Sequence, residues 1–229
     1  YLITGGAGFI GSHIAESLIE KDNEILILDN LVTGKKKNLE LIKDKIDFIE
    51  GSILDLDLLN ELTNGVNGVF HQAALASVQD SFSKPDEYYN VNVNGTENIL
   101  RLAKEKKFKV VYASSSSVYG NPTRIPISEI DDKNPINPYA ETKLKEENFL
   151  RSLRSDKIFQ FVIFRFGTIC GTSPGMRFHT AINKFCWQAV MGQPLTIWST
   201  AKNQKRPYLA LSDAINAITF FMKKKTVRW

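Results

Sequence analysis

Apolar residues in this chain follow two rhythms. Short runs, each closed by turn-forming residues, alternate with longer stretches in which apolar positions recur every three or four residues. Tyr1-Leu2-Ile3, Ile25-Leu26-Ile27-Leu28, Ile46-Asp47-Phe48-Ile49, Gly68-Val69-Phe70-His71, Lys109-Val110-Val111-Tyr112-Ala113 and Phe161-Val162-Ile163-Phe164 read as strands. Helices are expected at Ile10, Ile14 and Leu18, at Leu56, Leu58, Leu59 and Leu62 after an N-cap at Asp55, and at Thr96, Ile99, Leu100 and Ala103. Strands that alternate with helices predict an α/β domain around an open parallel sheet.

The turn after the first strand carries the first chemistry. Glycines at 5, 8 and 11 let the backbone bend sharply and let a pyrophosphate approach free N–H groups at a helix N-terminus, where Phe9 and Ile10 lie. The expected ligand is a dinucleotide. The second strand ends in Asp29-Asn30, and a carboxylate there accepts hydrogen bonds from ribose hydroxyls and repels a 2′-phosphate, selecting NAD over NADP. Ser52 and Ile53, after the third strand, lie where the adenine would sit. The small residues Ala73 and Ala74, after the fourth, allow close backbone approach to the cofactor.

Composition narrows the function classes without choosing among them. With 229 residues, 43% hydrophobic and 24% charged, the chain has the balance of a soluble globular protein and the length of one large α/β domain, or of one plus a small attachment. Its net charge of +4 is mild, and the lysines cluster in three separated places, which describes a solvated surface and not a nucleic-acid stripe. Cys170 and Cys186 lack metal-site or redox spacing, so no metal centre is expected and both read as buried residues or free thiols in a reducing compartment. No apolar run reaches membrane-spanning length, and a cytoplasmic location is the default expectation.

Further along, Asn92 lies in a stretch otherwise built for packing, where a buried amide either braces a neighbouring strand or holds an active-site water. It is counted with the cofactor-binding set. His71 reads as a satisfied strand-end histidine. The fifth strand runs into Ser114-Ser115-Ser116-Ser117-Val118-Tyr119-Gly120, and the next helix carries Tyr139 and Lys143 at i and i+4, one turn apart on one face. A tyrosine, with its usual pKa of about 10, acts as a base near neutral pH only if a positive charge stabilises the phenolate, and Lys143 is placed to do so.

Together, Gly5-x-x-Gly8-x-x-Gly11, Asp29-Asn30-Leu31, Asn92-Val93-Asn94-Gly95-Thr96, the serine run and Tyr139-x-x-x-Lys143 resemble the extended short-chain dehydrogenase/reductases, specifically the NAD-dependent sugar-nucleotide epimerase/dehydratase family. The resemblance spans essentially the whole chain. It implies a Rossmann-type doubly wound sheet in the order 3-2-1-4-5-6, with room for a seventh strand, and a nucleotide-diphosphate sugar as substrate. It also implies Ser115, Tyr139 and Lys143 as catalytic residues: Ser115 bonding the reacting hydroxyl, Tyr139 abstracting its proton, and Lys143 binding the nicotinamide ribose while tuning Tyr139. A second copy of the chain is the expected protein partner, with no nucleic acid and no membrane.

Positions after Ser115 point to one branch of the family. The 4,6-dehydratases carry an Asp-Glu pair where this chain has Ser116 and Ser117, and the UDP-glucuronate decarboxylases a glutamate in place of Ser117. What remains resembles the UDP-glucose 4-epimerases, which oxidise C4 of the hexose transiently, an isomerase and not a lyase. The resemblance further assigns Thr168, where the family usually has a substrate-contacting asparagine, Asn183 on a helix spanning 178–189, Ser116, and Arg206 in a basic-aromatic segment to substrate binding. A guanidinium suits a diphosphate because its planar fork donates two bonds at once. The departures are Ser52 for an aspartate, Thr168, and Thr172 after Gly171. Segment 178–189 is similar to UDP-sulfoquinovose synthases, which place His where Ala140 follows Tyr139; the rival from another class is a non-catalytic NAD-binding regulatory protein. Leu195-Thr196-Ile197-Trp198 reads as a short strand. The expected organisation is a cofactor domain over 1–166, substrate-lobe elements over 167–208 and a returning helix over 209–229, in a chain that reads as incomplete at both ends.

Overall fold

The computed structural model describes residues 1–153, 160–176, 178, 180–197, 199, 202 and 205–224. His179, Trp198, Arg228 and Trp229, which figure in the sequence expectations, lie outside the described residues. Six strands, β1 (Leu2–Thr4), β2 (Leu26–Asp29), β3 (Asp47–Glu50), β4 (Gly68–His71), β5 (Lys109–Ser115) and β6 (Phe161–Phe166), form one sheet in the order β3-β2-β1-β4-β5-β6. Every pairing is parallel, so the expected order and fold class hold.

Alternation along each strand builds two cores, one on each face. Cross-strand register aligns Phe48, Ile27, Ile3, Phe70, Val111 and Val162 in a single row. Against that face pack α1 (Phe9–Ile19), through Ile14, Ala15 and Leu18, and α8 (Leu211–Lys223), through Ala214, Ile215, Ile218 and Met222. Leu2, Leu28, Val69, Val110 and Tyr112 face the other way, toward α2 (Leu56–Leu62), α5 (Gly95–Lys106) and α6 (Pro138–Ser152). Two short helices, α3 (Val78–Ser83) and α4 (Pro85–Tyr88), and a π-helical segment (Tyr89–Asn94) lead into α5. Asp55 caps α2 as expected, accepting from the Leu58 N–H at 3.0 Å.

After β6 the chain leaves the sheet. Two further strands, β7 (Thr168–Cys170) and β8 (Tyr208–Ala210), pair in parallel as a small second sheet, and α7 (Ala181–Val190) lies between them in sequence. Two expectations need correction. The large sheet has no seventh strand among the described residues, and Leu195, Thr196 and Ile197 form no strand. The segment is latched to a helix instead: the Gln188 amide of α7 donates to the Pro194 carbonyl at 2.9 Å and to Thr196 Oγ at 3.3 Å. The helix itself begins at Ala181, three residues later than position 178.

One charged unit fastens β6 to its surroundings. Arg165 Nε and NH2 donate to both oxygens of the fully buried Glu147 on α6, while NH1 reaches the Tyr119 hydroxyl at 2.6 Å and the Glu129 carbonyl at 2.8 Å. Ser114 Oγ adds a donor to Glu147 Oε1 at 2.6 Å. Burial works against the guanidinium's charge, but these bonds outweigh it and push its pKa above the ordinary value. The unit joins β5, β6, α6 and the loop before α6, which fixes the end of the sheet where the serine run emerges. Breaking a buried pair from one side leaves a desolvated charge, so Arg165→Met is expected to lower unfolding free energy by about 3 kcal/mol in urea titrations. A loss below about 1 kcal/mol would mean that Ser114 and Arg151, whose NH2 lies 3.8 Å from Glu147 Oε2, suffice to hold Glu147.

Candidate active site

The carboxyl ends of β1, β2 and β4 meet at the glycine turn. Gly5 has a φ of +69°, and a Cβ there would come within 2.7 Å of the Ala73 backbone nitrogen; one on Gly11 would strike the Gly5 carbonyl oxygen. Neither position can carry a side chain without moving backbone. Helix α1 starts at the extended N-cap Gly8 with no side-chain cap, so its first N–H groups remain for a ligand. The side chains of Phe9 and Ile10 pack against the sheet core, so only their backbone N–H groups are left to face a ligand at the turn.

Asp29 ends β2 and is 8% exposed. Its Oδ2 accepts from the Ala7 N–H at 2.9 Å and its Oδ1 from the Leu31 N–H at 2.8 Å. Burial raises its pKa, and the two backbone bonds oppose that rise. Each oxygen keeps a further lone pair, as two ribose hydroxyls require. Leu31 sits in the left-handed region at φ +60°, held there by the bond to Asp29. The Ala7 carbonyl accepts from Lys35 N at 3.0 Å and from Asn38 Nδ2 at 2.7 Å, so the loop after β2 is tied to the turn. Asn30 is exposed, with its Oδ1 accepting from the Val32 N–H at 3.3 Å.

Around the base position the geometry is mixed. Ser52 is half-buried and accepts from the Leu54 N–H, but Ile53 is 5% exposed and packs against Gly95 in the core, so only its backbone faces the sheet end. Ala73 and Ala74 are half-buried, Ala73 lies beside Gly5, and the Ala73 N–H points at Thr4 Oγ at 3.4 Å. Asn92 is fully buried and braces that loop: it accepts from Leu75 N at 2.8 Å, and its amide donates to Leu75 O at 3.0 Å and to Thr142 Oγ at 3.1 Å. Of the two roles open to it, the brace is the one its bonds describe. Any influence on the cofactor passes through the loop it holds.

At the other end of the cleft, Asn137 caps α6 by accepting from Ala140 N at 2.9 Å, with Pro138 at the first helical position. Tyr139 follows, half-buried, and Lys143 comes one turn later with 2% exposure. Lys143 Nζ donates to the Tyr112 hydroxyl at 3.1 Å and to Glu146 Oε2 at 3.4 Å. Ser115 ends β5; its Oγ accepts from the Ser117 N–H at 3.2 Å and donates to Ser117 Oγ at 3.0 Å. Ser116 is half-buried in the 3-10 turn that follows.

The remaining substrate candidates come from separate places: Thr168 from β7, Asn183 from α7 and Arg206 from the segment that leads into β8. Thr168 lies on β7 opposite Tyr208, and its N–H donates to the Pro207 carbonyl at 2.9 Å, which brings it beside the exposed Arg206. Asn183 is 5% exposed on α7. Among the described residues no cluster of His, Cys, Asp and Glu is arranged to hold a metal, and no helix is long and apolar enough to cross a membrane.

The sequence reading passed over the polar core behind Lys143. Tyr112, Thr96, His71 and Glu146 are all buried, and Glu146 is on the same face of α6 as Lys143, three residues on. The available signal was a helix whose buried positions, Thr142, Lys143, Glu146 and Glu147, are mostly polar. His71 is satisfied as expected, by partners remote in sequence: Nδ1 lies 2.7 Å from Thr4 Oγ and Nε2 2.8 Å from Thr96 Oγ.

The model of the NAD dependent epimerase/dehydratase family matches residues 1–228. The chain is 36% identical over 230 residues to a UDP-N-acetyl-alpha-D-glucosaminuronate decarboxylase of Bacillus cytotoxicus, covering 98% of this chain and 71% of that protein. It is 37% identical over 179 residues to a UDP-glucose 4-epimerase of Halalkalibacterium halodurans, covering 77% of this chain and 52% of that protein. Among solved structures, the UDP-N-acetylglucosamine 4-epimerase from Methanobrevibacter ruminantium in complex with UDP-N-acetylmuramic acid superposes with a TM-score of 0.90 at 30% identity, covering 98% of this chain and 73% of that one.

His71 generates a pH prediction. Burial, reinforced by the charge of Lys143, lowers its pKa from 6.5 to about 3. In acid the unfolded chain therefore binds a proton that the folded chain refuses, and stability falls as pH drops from 6.5 toward 3. Between pH 6.5 and 5 the loss through this site is about 1.5 kcal/mol; it is absent from His71→Gln, so the stability difference between wild type and variant shifts by that amount across this range in urea titrations. Parallel pH profiles for the two proteins would contradict this.

Proposed function

The chain belongs to the NAD-dependent epimerase/dehydratase family, and we propose that within it the chain is a nucleotide-sugar 4-epimerase. The observation that carries this reading is the half-buried Tyr139 one turn from the buried Lys143, in a site that offers serine hydroxyls at 116 and 117. Serine hydroxyls cannot do the acid and base work of carboxylates near neutral pH, which favours epimerisation over loss of water.

NAD fits the residues present. A turn that cannot admit Cβ atoms at Gly5 and Gly11, the uncapped start of α1 at Gly8, and the open lone pairs of Asp29 suit a pyrophosphate and a ribose. When bound, NAD supplies a reversible hydride acceptor for the sugar carbon. Phe9 and Ile10 offer backbone N–H groups, Asn30 and Ser52 line the adenosine side, Ile53, Ala73 and Ala74 contribute backbone, and Asn92 holds the loop that carries the alanines. Tyr139 takes the proton of the C4 hydroxyl and returns it. Ser115 orients that hydroxyl, and Lys143 places a positive charge near the Tyr139 oxygen and binds the nicotinamide ribose. Thr168, Asn183 and Ser116 contact the sugar nucleotide, and Arg206 its diphosphate. On this reading residues 1–166 are the cofactor domain, and residues 167–208 supply the substrate side.

Similarity to a decarboxylase supports a second reading, in which a uronic acid loses carbon dioxide after the same oxidation. Incubation of the chain and NAD with UDP-glucose, UDP-N-acetylglucosamine, UDP-glucuronate and GDP-mannose, followed by proton NMR, separates the readings. C4 epimers are expected. Carbon dioxide release from the uronate would favour the lyase, and NAD binding without turnover on the whole panel would leave a binding protein. Tyr139→Phe is expected to lower turnover by about a thousandfold while NAD binding is retained.

A further inference from the structure

Behind Lys143 lies a carboxylate with an unusual set of bonds. Glu146 is 1% exposed, and three donors converge on one of its oxygens: the Tyr112 hydroxyl at 2.6 Å, Thr96 Oγ at 2.7 Å and Lys143 Nζ at 3.4 Å. The other oxygen, Oε1, is buried and has no partner among the described residues.

Hydrogen positions in this group follow by elimination. Thr96 has one hydroxyl proton and gives it to Glu146, so it accepts from His71 Nε2–H. His71 Nδ1 then accepts from Thr4 Oγ, whose own lone pair faces the Ala73 N–H. Tyr112 donates to Glu146 and accepts from Lys143, and the Lys143 ammonium also lies 4.9 Å from the Tyr112 ring centre. Burial and the charge of Glu146 raise the Tyr112 pKa well above its ordinary value, so its hydroxyl stays a donor. Every group is fixed by a partner on another element, β1, β4, β5, α5 or α6, and all are at most 2% exposed.

A carboxylate is costly to bury, and one with an orphaned oxygen costs more. Packing alone would be served by a neutral side chain of the same length. The convergence of bonds on Oε2 points elsewhere. We propose that Glu146 is a positioning residue for Lys143: its carboxylate, locked by Tyr112 and Thr96, supplies the counter-charge that fixes the ammonium on the face of α6 it shares with Tyr139. The inference rests on the reading of Lys143 as a cofactor-binding residue. It assigns to Glu146 no contact with substrate or cofactor, only the placement of the group that makes one.

A double-mutant cycle read by NAD affinity, independent of turnover, tests it. Glu146→Gln keeps the shape and drops the charge, and is expected to weaken NAD binding in isothermal titration about tenfold in the wild-type background but less than about twofold beside Lys143→Met. A side chain that merely fills space would weaken binding by the same factor in both backgrounds, and that result overturns the proposal. So does unchanged binding in Glu146→Gln when Lys143→Met alone weakens it. If Lys143→Met itself leaves NAD binding intact, the reading of Lys143 fails and the proposal falls with it, a result distinct from the other two. Should circular dichroism show that Glu146→Gln does not fold, the same cycle with Tyr112→Phe applies, since that change removes the hydroxyl linking Lys143 to Glu146 and leaves the ring in place.

Discussion

The structure depends on one close meeting of main chains. At the end of β1 the backbone passes so near the start of the loop after β4, and then so near its own earlier carbonyl, that Gly5 and Gly11 have no room for a methyl group. The same turn gives its Ala7 N–H to Asp29 and its Ala7 carbonyl to Lys35 and Asn38. Three strand ends are thereby drawn to one point by bonds that involve almost no side-chain freedom. A concave, anion-ready surface at the carboxyl edge of the sheet follows from that contact.

The opposite end of the cleft is organised by charge instead. Helix α6 buries a lysine and two glutamates, each matched across the interface by groups on the sheet or on α5. Glu147 serves architecture, clamping Arg165 and Ser114, while Glu146 stands behind Lys143. Their partners differ because adjacent helix positions point about 100° apart, so neighbouring carboxylates in sequence address different parts of the core.

Much of this was legible in the amino-acid order. Strand positions and sheet order follow from short apolar runs bounded by turns, and the nucleotide end from glycines at fixed spacing and an aspartate closing β2. Polar interior contacts were not legible, because Thr4, His71, Thr96, Tyr112 and Glu146 come from five separate segments and no local spacing announces their meeting. Asn92 showed the intermediate case: its burial was expected, but the choice between bracing a loop and holding water needed the position of Leu75. The segment at Leu195 misled for a related reason. A β-like composition says nothing about whether backbone or a glutamine side chain will take up its hydrogen bonds.

Asp29 draws the widest consequence from a small geometric fact. On the proposed reading, the carboxylate that discriminates against a 2′-phosphate is also the acceptor for the Ala7 and Leu31 amides, which would load coenzyme preference and the shape of the glycine bend onto one side chain. A lineage shifting toward the phosphorylated coenzyme could not simply discard the acid, because the bend would lose its tether. It would first have to recruit another acceptor for those two amides, which makes the present preference difficult to reverse in a single evolutionary step.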